Sequence, residues 1–274
     1  MKHSQRRTRR DLIAAASLAV GAPFISRLSW AAGYPLQKLQ YEAIGVGGRG
    51  AADINSMSGH KKVQMVAAAD VDSGECKQLK SKIAGVKTFS DWREMFQAMG
   101  KGIDIVSVST PDHMHGIMAM SAINLGKHVY VQKPLAQTVG ECRAMREVAH
   151  QNKVIVQMGT QGASSFNDRR AVDWVQRELI GKATEAWVFC GKSWGDLKPL
   201  PDHQDPVPEG LNWDGWLGVG EKRPFIEKYY HPKNWRRRQD FGTGTLGDMG
   251  CHIFNAMYRG MRSEERRVGK GCRP

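Results

Sequence analysis

The chain has 274 residues, enough for one large domain or two smaller ones around a sizeable buried core. Its 41% hydrophobic and 24% charged residues describe an ordinary soluble globular protein. The net charge of +13 is not a nucleic-acid signature: residues 1–31 carry +5 and residues 262–274 carry +3, leaving only +5 for the body. A field that modest suits an anionic ligand or a plain solvated basic face, and it argues against nucleic acid as a partner.

The amino terminus reads as an export address. Thr8-Arg9-Arg10-Asp11-Leu12-Ile13 resembles a twin-arginine signal, an apolar small-residue stretch runs from Leu12 to Ile25, and Ser29-Trp30-Ala31-Ala32 offers a cleavage site. Residues 1–31 are therefore expected to be a signal peptide and the protein to be periplasmic or otherwise exported. An ordinary Sec signal or an uncleaved anchor is the plainer alternative. The apolar stretch is shorter than the roughly 20 residues of a membrane span, and no other segment looks transmembrane.

From Tyr41 onward short apolar runs alternate with amphipathic ones, the pattern of strand–helix units on a parallel sheet. The spacing predicts strands over 41–46, 64–69, 103–109, 128–131 and 154–158, and helices over 48–58, 73–83, 91–99, 115–125 and 139–152. Gly126 is placed to cap the fourth helix. The expected fold class is α/β, a doubly wound Rossmann domain over 34–159 followed by a second domain over 160–261. That second part should hold a helix over 168–179 ending at Gly181, a strand over 184–190, and a Pro- and Trp-rich irregular stretch over 194–235. A Gly-rich approach over 242–247 then leads to a helix starting near Asp248. Residues 262–274 hold seven charges and resemble the translation of a sequencing-library adapter, so they read as a non-native tail and the second domain as incomplete. A solvated tail is the alternative.

Five cysteines, Cys76, Cys142, Cys190, Cys251 and Cys272, form no Cys-x-x-Cys pair and are expected to be free thiols. Among the tryptophans of the irregular stretch, Trp194, Trp213, Trp216 and Trp235, packing is favoured over stacking on a sugar ring.

Three segments carry chemistry. Gly45-Val46-Gly47-Gly48-Arg49-Gly50 follows a strand and opens a helix, the context in which this motif binds a dinucleotide. Gly45 permits the tight turn, Gly47 a close backbone approach to pyrophosphate, and Gly50 close helix–strand packing, while Gly48 and Arg49 complete the loop. Asp70, twenty residues on, can accept from ribose hydroxyls and would repel a 2′-phosphate, favouring NAD, although Arg49 could accommodate NADP. A Gly-rich turn beside a capping Asp is the bland alternative. Thr110-Pro111-Asp112-His113-Met114-His115 lies outside a strand's carboxyl end, where open sheets bind ligands. Two histidines two apart with one carboxylate are weak metal ligands, and no metal is expected. Gln132-Lys133-Pro134 ends the next strand and can aim the Lys133 ammonium into the same crevice. Finally Asp248 and His252, four apart, share a helix face, with His252 suited to act as a base near neutral pH. In isolation such a pair is more often an N-cap and an unrelated surface histidine.

In this order, Gly-x-Gly-x-x-Gly, Thr110-Pro111-Asp112-x-x-His115, Lys133-Pro134 and Asp248-x-Gly250-x-His252 resemble the glucose–fructose oxidoreductase/inositol dehydrogenase (Gfo/Idh/MocA) family over about residues 41–261. The resemblance implies a Rossmann domain followed by an α/β domain with an open antiparallel sheet, NAD or NADP as cofactor, and a carbohydrate or polyol substrate; the export signal in turn calls for a cofactor loaded before export and tightly held. It implies a homo-oligomer when full length. It makes Lys133, Asp248 and His252 the catalytic set, with His252 as acid/base, and sets Thr110, Pro111, His115 and Lys133 against the nicotinamide. One departure is Gln132, where the family commonly has Glu, which leaves the Lys133 ammonium less well paired. The leading expectation is an exported NAD(P)-dependent oxidoreductase. Redox-neutral sugar elimination or glycoside cleavage, and a non-catalytic sugar- or dinucleotide-binding protein, are the alternatives.

Overall fold

The computed structural model describes residues 38–195 and 199–261. The expected signal peptide and charged tail lie outside the described residues.

The sequence from Leu39 builds a six-stranded, all-parallel sheet of strands β1 (Leu39–Ile44), β2 (Val63–Ala69), β3 (Lys87–Phe89), β4 (Ile105–Val108), β5 (His128–Gln132) and β6 (Val156–Gly159). Its order is β3-β2-β1-β4-β5-β6. The direction of winding reverses between β1 and β4, which opens a crevice at their carboxyl ends. Both faces are covered, so side-chain alternation sorts apolar residues into two cores rather than one core and a wet face. Tyr41 and Ala43 of β1 join Ile54 and Leu79 on one face, while Ile44 joins Val106, Val131, Met95 and Ala119 on the other.

Helices α1 (Arg49–Ser58), α2 (Ser73–Lys82), α3 (Trp92–Met99), α4 (His115–Asn124) and α5 (Val139–Asn152) connect the strands. Local signals set their ends. Asp72 and Asp91 cap α2 and α3 by accepting from backbone N–H groups, and Thr138 with Glu141 makes a full capping box on α5. Gly126 follows α4 with φ of 72°, a left-handed stop open to glycine. The three-residue β3 was not expected from sequence, being too short and too polar to show a period.

The second part contributes α6 (Phe166–Gln176), α7 (Trp213–Leu217), α8 (Gly244–Ile253) and α9 (Asn255–Gly260). Trp213, Trp216 and Trp235 are buried with Phe225, Tyr230 and Phe241, Trp213 stacking on Trp216 at 4.8 Å, so packing is their use here. Two expectations are corrected. Residues 184–190 form no strand, and the described residues contain no antiparallel sheet, only an isolated antiparallel bridge between Asp72 and Leu211. The reason is that no neighbouring strand takes their backbone hydrogen bonds, and Trp187 and Phe189 stay exposed. Helix α8 also begins earlier than expected, at Gly244. Its internal Gly247 is required because a Cβ there would fall 2.2 Å from that of Thr243.

Far from the crevice, Glu42 is fully buried with neither carboxylate oxygen hydrogen-bonded, while nearby Lys127 donates to the Ile103 carbonyl at 2.8 Å. Burial pushes the Glu42 carboxyl up to about 7, against the pull of Lys127. A folded value above the unfolded one means that its contribution is fully present below about pH 4.5 and is lost as pH rises through about 7. Glu42→Gln is therefore expected to change stability little at pH 4.5 and to raise it by about 2–3 kcal/mol at pH 8. Chemical denaturation at the two pH values measures this, and equal stabilities at pH 8 would refute it.

Candidate active site

The loop between β1 and α1 has the shape a dinucleotide needs. Gly45 has φ of 81°, and a Cβ on it would lie 2.6 Å from the Ser109 carbonyl oxygen. A Cβ on Gly50 would lie 2.0 Å from the Gly45 carbonyl oxygen, so helix and strand touch backbone to backbone. Gly48 has φ of 50° and open space in front of it, and no side chain caps α1. An uncapped helix N-terminus offers its N–H groups and positive dipole end to phosphate oxygens, once the Glu75 side chain beside Gly47 gives way. These residues fit a bound NAD, with Gly45 to Gly50 at the pyrophosphate.

Asp70, after β2, is turned onto this loop. Its carboxylate accepts from Val46 N at 2.7 Å and from Asp72 N at 2.9 Å, so it fastens the loop while keeping lone pairs to spare for ribose hydroxyls. Burial holds its carboxyl above the ordinary range, with the hydrogen bond from Val46 pulling the other way. Arg49 is half-exposed and donates through two nitrogens to Asp53 on the next turn of α1.

Asp53 was not singled out by sequence, and it is a hub. It is buried, and besides Arg49 it accepts from Ser109 Oγ at 2.9 Å and Gln132 Nε2 at 2.6 Å. Gln132 Oε1 in turn accepts from Gln161 at 3.0 Å. The amide is thus matched to a carboxylate partner and does not bear on Lys133, whose ion partner lies elsewhere. The Arg49-x-x-x-Asp53 spacing was the one visible signal of this pair.

Around the switch point the Thr110–His115 segment presses on the glycine turn: the ideal Cβ of Gly45 would sit 3.1 Å from Thr110 N. Pro111 starts the short turn Asp112–Met114 that leads into α4. His115 is buried, with Nδ1 2.6 Å from the Pro134 carbonyl oxygen and Nε2 2.9 Å from that of Thr110. Its ring spans the Thr110 loop and the turn that carries Lys133, so it bears on the crevice through the backbone it holds. Asp112 is buried too and accepts from Thr243 Oγ1 at 2.8 Å, a link to the second domain. His113 points away from the crevice into the aromatic cluster, and burial pushes it down to about 4.

The chemistry gathers at α8. Lys133 Nζ donates to Asp248 Oδ1 at 2.7 Å and to the Asp248 carbonyl oxygen at 2.5 Å, both side chains being nearly buried. Burial alone would raise the Asp248 carboxyl, but the hydrogen bond and charge of Lys133, with Arg236, hold it below its ordinary range. Asp248 stands inside α8, not at its cap, one turn before His252. The His252 ring lies beside Gly162, whose ideal Cβ would be 3.4 Å from Nδ1. Burial first, then the Lys133 charge, hold the imidazole below its usual value, so it is neutral near pH 7. Arg236 is the second member missed by sequence: its Nε lies 3.2 Å from the same Asp248 oxygen. Within the run Arg236-Arg237-Arg238 nothing distinguished it.

A Rossmann crevice with a fitted dinucleotide loop, a poised lysine and a neutral histidine define a class, the nicotinamide-dependent oxidoreductases. Two models of one oxidoreductase family match the chain: the NAD-binding Rossmann fold over residues 39–160 and the C-terminal alpha/beta domain over 168–261. The chain belongs to the Gfo/Idh/MocA oxidoreductase family. It is 28% identical over 173 residues to a levoglucosan dehydrogenase of Pseudarthrobacter phenanthrenivorans, covering 61% of this chain and 34% of that protein. It is 29% identical over 157 residues to an inositol 2-dehydrogenase of Salmonella paratyphi B, covering 56% and 43%. The chain thus spans well under half the length of these relatives. A solved structure of GenD2 from gentamicin A biosynthesis in complex with NAD superposes with a TM-score of 0.58 at 18% identity, over 82% of this chain and 54% of that one, and shares the fold.

The Asp53 hub makes a direct prediction. Gln132→Glu sets a second carboxylate against Asp53 in a buried place, so one of the two must hold a proton. The variant is expected to lose about 2 kcal/mol at pH 8 and to regain much of it near pH 5, where that proton is freely supplied. Thermal melts at both pH values test this; a pH-independent loss would point to shape, not charge.

Proposed function

We propose that the chain is the cofactor-binding and catalytic part of an exported NAD(P)-dependent oxidoreductase that oxidises a hydroxyl of a sugar or polyol. The observation that carries this reading is the nearly buried Lys133–Asp248 ion pair, whose lysine charge also acts on His252 one turn further along α8. An ammonium has three protons to donate, and Lys133 spends two on Asp248, leaving one for a substrate oxygen. His252, kept neutral by burial and by that same ammonium, is ready to accept the hydroxyl proton. Asp248 orients Lys133, and the Lys133 charge stabilises oxygen as it becomes an alkoxide. When bound, the nicotinamide supplies the hydride acceptor. Thr110 and Pro111 border its place in the crevice, with Gly45, Gly47, Gly48, Arg49 and Gly50 holding the phosphates and Asp70 the ribose.

The activities named for the relatives, on levoglucosan and on inositol, support a cyclic polyhydroxylated substrate. Residues 1–31 support twin-arginine export to the periplasm. Export of a folded, loaded protein calls for cofactor bound before translocation and held tightly afterwards. Largely exposed Trp187 and Phe189 support a working homo-oligomer in which that face is covered.

His252→Ala is expected to lower kcat by about 10²–10⁴-fold while NAD affinity stays within a factor of two. In the wild type, the acid limb of kcat/KM should fall below the ordinary histidine value of 6.5, because the neutral form persists to lower pH. Isothermal titration and pH–rate profiles read both; undiminished turnover by the variant would remove His252 from its role. Replacing Arg9 and Arg10 together by lysine should leave the protein in the cytoplasm of an expressing cell, and unimpaired export would rule out the twin-arginine route.

A further inference from the structure

We propose that Arg236 is a substrate-binding residue and that the substrate is an acidic sugar or polyol, carrying a carboxylate close to the hydroxyl that reacts. The inference rests on the oxidoreductase reading above and narrows its substrate class. Arg236 stands in the short turn Asn234–Arg237, and its guanidinium lies over Trp235 at 4.2 Å and near Trp194 at 5.5 Å from the ring centroids. Two indoles hold its plane without using its N–H groups. Only Nε is engaged, with Asp248 Oδ1 at 3.2 Å. Among the described residues no acceptor meets the two terminal nitrogens, and the side chain keeps 25% of its surface exposed. A planar, pre-set fork of N–H donors fits a carboxylate with two parallel hydrogen bonds.

The charges around it point the same way. Lys133 and Arg236 share one oxygen of Asp248, so one carboxylate is set against two cations. Lys192 adds further positive charge at His252, whereas the Arg49 charge is paired with Asp53. Asp112, a second buried acid on which these cations act, accepts from Thr243 Oγ1 at 2.8 Å. The centre therefore sets two cations on one oxygen of Asp248 and leaves the terminal nitrogens of Arg236 as a donor fork, which a carboxylate would answer.

Geometry fixes where the acid group lies. Lys133 Nζ is 2.7 Å and Arg236 Nε is 3.2 Å from the same oxygen, so the two nitrogens are within about 6 Å of one another. A hydroxyl on Lys133 and a carboxylate on Arg236 then belong to one small molecule, a few bonds apart. A sugar phosphate offers more charge on a bulkier tetrahedral group, which the fork also accepts, so the phosphate is an arm of the test.

Isothermal titration of the NAD-saturated 274-residue chain with gluconate, glucuronate, glucose, myo-inositol and glucose 6-phosphate tests this. The acids are expected to bind at least about tenfold more tightly than glucose or inositol, with affinity falling as salt is raised. Arg236→Gln should abolish that preference, and Arg236→Lys, which keeps charge but not the fork, should lose most of it. Both variants should bind NAD as the wild type does. Neutral sugars binding as well as the acids, or a preference that survives Arg236→Gln, would overturn the proposal while leaving the oxidoreductase reading intact. Preference for the phosphate over both carboxylates would overturn the assignment of the acid group. No sugar binding at all, with NAD bound, would overturn both readings.

Discussion

The ion pair between Lys133 and Asp248 is the constraint on which the rest of the site depends. It joins the end of β5 to the middle of α8 across 115 positions of sequence, and it is nearly dry. Removing two charges from water costs several kcal/mol per ion, and only good geometry with extra hydrogen bonds offsets that. Here a second bond from Lys133 to the Asp248 carbonyl and a second cation, Arg236, supply them. The ammonium is consequently located by both domains at once. Thr243 bonded to Asp112, and Phe241 accepting from the His113 N–H, hold the approach to α8 against the same loop.

A second constraint runs along the base of the crevice. Asp53 binds the phosphate-loop arginine, the serine after β4 and the amide that ends β5, while Gln161 extends the chain to the turn beside His252. Every partner of that carboxylate is a donor, which is why the buried charge is tolerable. The same logic accounts for Gln132. Its neighbour in sequence is Lys133, but its neighbour in space is the Asp53 carboxylate, and an amide satisfies that carboxylate where another acid would repel it. The expected weakening of Lys133 does not arise, since Asp248 pairs it instead.

His252 is the quiet member of the set. No hydrogen bond fixes its ring among the described residues, and its environment acts through desolvation and the charge of Lys133. The same ammonium thus bonds Asp248 and holds the imidazole below its usual value. Coupling of this kind needs no contact between the two side chains, only a shared low-dielectric site.

By itself, the sequence determined the parallel sheet, its connecting helices and the glycine loop. Those features are local: they follow from periodicity, from capping groups such as Asp72, Asp91 and the Thr138–Glu141 box, and from positions such as Gly45 where a Cβ has no room. It also placed Lys133, Asp248 and His252 in order along the chain, by resemblance more than by physics. Tertiary structure alone decided what those residues touch. Asp248 pairs with Lys133 rather than capping a helix, His115 faces inward to two carbonyls, and Asp53 and Arg236 enter because they meet partners far away in sequence. Residues 184–190 show the converse: their strand pattern is real, yet a strand exists only when a neighbour accepts its hydrogen bonds, and no window of sequence contains that neighbour.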